Sequence, residues 1–267
     1  MANAGRFPGG RLLLRVTRLR YEGAYGGRQD EAGTPGRDQE NELTHGKMPR
    51  RLGLQCGGCT GSFQGQDEGT PAMNESQTRR KLLVIIGSTR PTRVGRAIGD
   101  WFVAHAREAG DWDVTVADLR ELDLPMMDEP KHPSLGQYEH AHTKAWSALV
   151  AQQDAFVIVM PEYNHSYTAP VKNAIDYLSK EWAYKPVGLL SYGGISAGLR
   201  AATALKPVLS ALRMVPVTAA VSIPSVSEKV QDGVFVPYDA AISGANSMLE
   251  ELQRWSGALQ PLRAGIG

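Results

Sequence analysis

The chain has 267 residues, enough for one large domain or two small ones, and its composition is that of an ordinary globular protein, 42% hydrophobic and 21% charged. A net charge of +1 gives no electrostatic reason to expect nucleic acid or an anionic membrane as a partner. No run of about 18 apolar residues occurs, so no transmembrane helix is expected.

Residues 1–79 differ from the rest of the chain. Of the 29 glycines, 15 fall before residue 73, and that stretch has nine arginines but one lysine, Lys47. Apart from Arg11-Leu12-Leu13-Leu14-Arg15-Val16 it has no aliphatic cluster, so it cannot bury enough apolar surface to offset its ordering entropy. It is expected to be disordered. The first twenty residues hold five arginines and no acid, as a transit peptide would. An early start is the plainer reading, with Met73 as the true first residue of a domain of ordinary size. The only cysteines, Cys56 and Cys59, stand in Cys-Gly-Gly-Cys. No second Cys/His pair lies close enough for zinc, and no strand precedes them as a redox motif needs, so they read as incidental and no metal is expected. A domain over 80–257 and a flexible tail over 258–267 complete the expected organisation.

From Lys81 onward, short apolar runs alternate with helical periods. Leu82–Ile86 is a continuous apolar run of the kind buried on both faces of a parallel sheet. Val94–Glu108 carries a helical period, closed by Gly110. Asp113–Asp118 reads as a second strand, and residues 119–142, with Pro125, Pro130 and Pro133, as loop. Thr143–Gln152 is helical. Ala155–Met160 is a third strand, stopped by Pro161. Ala169–Ser179 is helical, with Pro170 in the first turn. Pro186–Ser191 is a fourth strand, Leu199–Leu212 a helix kinked at Pro207, Met214–Val221 a fifth strand, and Tyr238–Arg254 a closing helix. Such alternation predicts a doubly wound parallel sheet, with ligands beyond the carboxyl ends of the strands at the switch in strand order.

Three loops emerge there. Gly87-Ser88-Thr89-Arg90-Pro91-Thr92-Arg93-Val94-Gly95 joins a buried strand to a helix, where free backbone N–H groups and the helix dipole favour an anion. Hydroxyls from Ser88, Thr89 and Thr92 and guanidinium from Arg90 and Arg93 suit a phosphate monoester. Neither a Walker A lysine nor G-x-G-x-x-G is present. The competing reading is plain helix capping by Ser88 or Thr92. Met160-Pro161-Glu162-Tyr163-Asn164-His165-Ser166 follows the third strand and could edge a planar heterocycle. Ser191-Tyr192-Gly193-Gly194-Ile195-Ser196-Ala197-Gly198 follows the fourth, and its glycines permit close backbone approach. For both, ordinary turn chemistry is the alternative.

The segments Gly87-Ser88-Thr89-Arg90, Pro161-Glu162-Tyr163-Asn164 and Ser191-Tyr192-Gly193-Gly194, in this order, resemble the three signature loops of the NADPH-dependent FMN reductase family. Pro170–Leu178 resembles that family's helix after the second loop. The resemblance spans about Lys81 to Gly257. It implies a flavodoxin-like, three-layer α/β fold with a five-stranded parallel sheet in order 2-1-3-4-5 and bound FMN. It further implies that Ser88, Thr89, Arg90, Arg93, Val94 and Gly95 surround the phosphate. Pro161, Glu162, Tyr163 and Asn164 would line the isoalloxazine edge, and Ser191, Gly193 and Gly194 would approach the pyrimidine side.

The same resemblance implies an oxidoreductase that takes hydride from NADPH or NADH at flavin N5 and passes it, ping-pong, to a small-molecule acceptor: a quinone, azo compound, chromate or free flavin. A cytoplasmic homodimer or homotetramer is expected, and Tyr167, Tyr177, Trp182 and Tyr184 suit either its interface or the core. No side chain is needed as a catalytic acid. His165 is placed for that role, but water can supply the proton. A flavodoxin-like electron carrier and a flavin-binding sensor without turnover are the alternatives.

Overall fold

The computed structural model describes residues 79–265. The expectations for residues 1–78, including the arginine-rich start and the Cys56–Cys59 pair, lie outside the described residues.

Strand β1 (Arg80–Ile86) pairs in parallel with β2 (Trp112–Asp118) on one side and β3 (Ala155–Pro161) on the other. Next to β3 lies β4 (Pro186–Tyr192), and beyond it two short pieces, β5 (Val215–Pro216) and β6 (Val221–Ile223), both parallel to β4. The order is thus β2-β1-β3-β4-β5, the flavodoxin-like arrangement, with its switch point between β1 and β3.

Successive side chains of β1 point to opposite faces and feed two cores. Leu82 and Val84 meet Ile98, Phe102 and Val103 of α1 (Gly95–Ala109) and Ala245, Met248 and Leu252 of α6 (Asp239–Arg263). Leu83 and Ile85 join Trp146 and Val150 of α3 (Ala141–Ala151), Val171 and Ile175 of α4 (Ala169–Asp176), and Leu205 and Leu209 of α5 (Leu199–Ala211). Both faces of the sheet are therefore covered, which is why its strands read as unbroken apolar runs rather than as alternating ones.

The differences from the expected elements have local causes. Residues 119–142 contain a helical turn, α2 (Leu119–Leu122), and a 3-10 turn at Pro133–Leu135. The expected fifth strand is broken: Glu251 of α6 accepts the N–H groups of Thr218 and Ala219 between β5 and β6, so that stretch does not pair with β4. A small antiparallel hairpin, β7 (Val230–Gln231) and β8 (Val234–Phe235), comes after it. Helix α5 runs through Pro207. Helix α6 continues past Arg254 to Arg263, into the segment expected to be a tail. Burial of Leu259 and an Arg263–Asp154 ion pair at 3.1 Å hold that last stretch.

Tyr177 and Trp182 are fully buried within the chain itself, so the core reading holds for both. Lys185 is also buried. Its Nζ donates to the carbonyls of Val150 and Ala151 at the end of α3, and burial lowers it to about 8. Among the described residues no helix is long and apolar enough to cross a membrane, and no group of three or more His, Cys, Asp or Glu could hold a metal ion.

Candidate functional site

The loop after β1 leads into α1 with Val94 at the N-cap, and among the described residues no side chain caps that helix. The capping reading for Ser88 or Thr92 is therefore overturned. The first α1 N–H bonded within the helix is that of Ile98, which donates to the Val94 carbonyl, and no acid stands in the first turn. The donors before it are open to an outside anion.

Ser88 is buried at the base of this opening, whereas Thr89, Arg90 and Thr92 are exposed. Arg90 forms no ion pair among the described residues. Arg93 behaves differently. Its guanidinium grips Asp118, at the end of β2, through two bonds of 2.6 and 2.7 Å and also donates to the Ser88 carbonyl at 2.8 Å. The two side chains are only 8% and 1% exposed, so this is a buried, bidentate clamp across the base of the loop. Asp118 in turn accepts from Arg96 and from the Arg120 N–H. On the opposite side, buried Thr168 donates its hydroxyl to the Gly87 carbonyl at 2.9 Å.

The loop after β3 closes on itself. Tyr163 and Ser166 exchange both backbone hydrogen bonds at 2.9 Å. The two residues between them, Asn164 and His165, have φ of 48° and 64°, the pattern of a type I′ turn. Both are exposed at its tip. Asn tolerates this conformation better than most residues, which explains its place in the turn. Pro161 is buried at the end of β3.

Glu162 faces the third loop instead. Its carboxylate accepts from the Arg200 backbone at 3.1 Å and from the Arg200 guanidinium at 2.8 Å. Burial alone would raise its carboxyl, but the donors on Arg200 and Ser196 outweigh that and hold it below its ordinary value.

In the loop after β4, the Ser191 hydroxyl donates to the Ala197 carbonyl at 2.9 Å, and the Gly193 N–H donates to Ile223 on the neighbouring β6. Gly194 has open space beside it. The Tyr192 side chain leaves this loop and runs under α1, where its hydroxyl is buried near Ser88 and, among the described residues, makes no hydrogen bond of good geometry. Only a glycine at position 95 leaves room for it. Burial pushes that hydroxyl well above the ordinary tyrosine range. The Ser88 and Tyr163 hydroxyls lie 3.4 Å apart, a long hydrogen bond joining the first loop to the second.

The three expected loops thus share one edge of the sheet, tied together by the Ser88–Tyr163 and Glu162–Arg200 contacts. Asp118, Thr168, Tyr192 and Arg200 belong to this assembly and carry no motif of their own. The one signal for Asp118 is an acid ending a strand beside an arginine-bearing loop.

The family model for NADPH-dependent FMN reductases matches residues 80–228, more than half of the chain. An NAD(P)H-dependent FMN reductase of Schizosaccharomyces pombe is 39% identical over 161 residues, covering 59% of this chain and 79% of that one. A Saccharomyces cerevisiae enzyme of the same description is 34% identical over 145 residues, covering 50% and 75%. The flavoenzyme NAD(P)H:(acceptor) oxidoreductase of Paracoccus denitrificans shares the fold, with a TM-score of 0.52 at 19% identity over 68% of this chain and 98% of that one. The chain belongs to the NADPH-dependent FMN reductase family. It is accordingly an oxidoreductase with FMN as cofactor and a reduced nicotinamide nucleotide as electron donor. The residues present fit that cofactor: an uncapped helix start, the buried Ser88 hydroxyl and the exposed Arg90 guanidinium stand together at one end of the edge, with the donor chemistry a phosphate monoester needs.

Proposed function

We propose that this protein moves hydride equivalents from NADPH or NADH to a quinone, azo compound, metal oxyanion or free flavin by a ping-pong cycle. FMN, when bound, supplies the redox chemistry by accepting hydride at N5 and releasing it to the acceptor. The chain's own residues bind, orient and shield. Ser88, Thr89 and Arg90, with the backbone N–H groups of Val94 and Gly95, take the phosphate. Arg93 acts at one remove, holding the loop in shape through Asp118 and the Ser88 carbonyl.

Pro161, Tyr163 and Asn164 form the wall for the ring. Glu162 fixes that wall to the third loop, where Ser191, Gly193 and Gly194 bring backbone close to the pyrimidine side. Backbone donors there favour the anionic reduced ring. Protons come from water, and exposed His165 is given no role. The protein acts in the cytoplasm as a homodimer or homotetramer. An apolar rim at Ile195 and Leu199, 96% and 54% exposed, supports self-association.

The observation that carries this reading is the uncapped α1 start with Ser88 and Arg90 beside it, opening on the same edge as the two ring loops. Arg90→Ala removes one charge-assisted phosphate contact and should weaken FMN binding by about 1.5–3 kcal/mol, roughly ten- to hundredfold in Kd. Titration of the apoprotein with FMN, followed by quenching of flavin fluorescence, measures it. An unchanged Kd would mean that Arg90 is merely solvated.

A further inference from the structure

A cleft of about 390 Å3 lies beside the phosphate loop, on its β2 side. Thr89 of that loop is one of its lining residues. The cleft surface is about as polar as it is apolar, and the apolar part comes from Leu119 and Leu124 after β2, Ala169 and Pro170 at the start of α4, and Met126, which is 74% exposed. Arg120 and Asp123 supply one charge of each sign at the rim.

The loop carrying Met126 is anchored. Asn173 of α4 donates to the Pro125 carbonyl at 2.6 Å and accepts from the Met127 N–H at 2.9 Å. One turn later, the single proton of the Tyr177 hydroxyl is shared between the Asp128 carboxylate at 2.9 Å and the Pro125 carbonyl at 3.0 Å, and His142 lies 3.0 Å from the same carboxylate oxygen. Met126 is therefore an exposed apolar side chain on a fixed backbone. A ligand entering this cleft meets walls already in place, which lowers the ordering cost of binding.

An electron acceptor has to reach the flavin ring, which the proposed function puts at the second and third loops. The cleft is lined by Thr89, by residues after β2 and by the start of α4, and by no residue of the second or third loop, so it suits a part of a ligand that does not react. The reduced nicotinamide dinucleotide has such a part, the adenylate joined to the reacting ring by a pyrophosphate. Its chemistry matches the cleft point by point. A flat aromatic base suits the apolar side chains of Leu119 and Pro170 and the polarizable Met126 thioether, a phosphate suits Arg120, and an amino or ribose hydroxyl donor suits Asp123. A quinone or a simple azo compound brings no such combination of phosphate and donors.

We propose that this cleft binds the adenylate half of the nicotinamide dinucleotide, with the base between Met126 and Pro170 and a phosphate on Arg120. The inference rests on the proposed function, because only that reading places the reacting half at the other loops.

Calorimetric titration of the FMN-loaded protein with 2′,5′-ADP, 5′-AMP and inorganic phosphate tests it. An adenosine phosphate is expected to bind and to be displaced by NADPH. Tighter binding of 2′,5′-ADP assigns Arg120 to the 2′-phosphate, whereas equal binding assigns it to the pyrophosphate. Arg120→Ala and Met126→Glu should each weaken that binding about tenfold or more with the bound-flavin absorbance spectrum unchanged. Both side chains are exposed, so neither substitution threatens the core. The proposal is overturned if neither adenosine phosphate binds, if both variants bind like the parent, or if inorganic phosphate binds as well as they do. Bleaching by NADPH without adenosine phosphate binding would remove the cleft alone, and nucleotide binding without bleaching would remove the redox reading instead.

Discussion

Arg93→Ala is expected to lower the unfolding free energy by about 3–5 kcal/mol and to abolish tight FMN binding. The substitution leaves Asp118, 1% exposed, with the half-exposed Arg96 as its one charged partner among the described residues. It also frees the Ser88 carbonyl, to which the Arg93 guanidinium donates in the loop after β1. Removing one member of a buried pair strands the other, and that is where most of the loss arises. Arg93→Lys should recover little, because an ammonium cannot reproduce two parallel bonds to one carboxylate plus a third to the carbonyl. The double variant Arg93→Met/Asp118→Asn should be less damaged in stability than Arg93→Ala while still binding FMN poorly. Denaturant titration separates these cases. A loss below about 1 kcal/mol for Arg93→Ala, the range of a surface pair, would show that the clamp is not a buried one in solution.

Gly198→Ala should be the next most damaging single change, at about 2–4 kcal/mol. Gly198 has φ of 78°, where an alanine costs of order 1 kcal/mol. Its added Cβ would also lie 2.7 Å from the Tyr192 nitrogen and 2.9 Å from the Tyr192 carbonyl oxygen, and backbone atoms cannot swing aside as a side chain can. The third loop would have to move to admit the methyl group, carrying Gly193 and Gly194 with it. Stability and FMN affinity should therefore fall together. Gly136 has φ of 64° with nothing near its missing Cβ, so Gly136→Ala isolates the conformational cost and should lose about 1 kcal/mol without touching the flavin. Equal losses at the two positions would argue against close approach as the reason for the glycine at 198.

The parallel sheet is legible because its central strands are buried on both faces, and runs such as Leu82–Ile86 and Ala155–Met160 have no other home in a globular domain. The edge is harder. Whether residues 214–223 make one strand or two depends on Glu251, about thirty positions further along the chain, and no local pattern announces that its carboxylate will take two backbone donors. The end of α6 escapes a local reading for a related reason, since Arg263 reaches Asp154 only after the fold brings the helix back across the sheet.

The three loops of the site can be found because turn residues come after each strand at the same edge. The use of particular side chains in them is less visible. Arg93 and Arg90 look alike in the sequence, three positions apart, and both suit a phosphate. The structure commits Arg93 to Asp118 and leaves Arg90 exposed. Glu162 and Ser191 likewise spend their polar groups on the third loop itself, so their influence on a ligand passes through the backbone they hold. Tyr192 ends a strand and reads as ordinary core, yet its hydroxyl stops against the start of α1, where Gly95 makes room for it.

Hydride transfer through the bound flavin is the central claim, and anaerobic reduction followed by absorbance tests it most directly. The purified protein, loaded with FMN, is mixed with NADPH in the absence of oxygen and then with a quinone. The flavin band is expected to bleach on the first addition and to return on the second, with the nicotinamide product released before the quinone is added. A flavin band that persists with both NADPH and NADH, in protein that holds FMN tightly, would contradict the account and leave a carrier or sensor in its place.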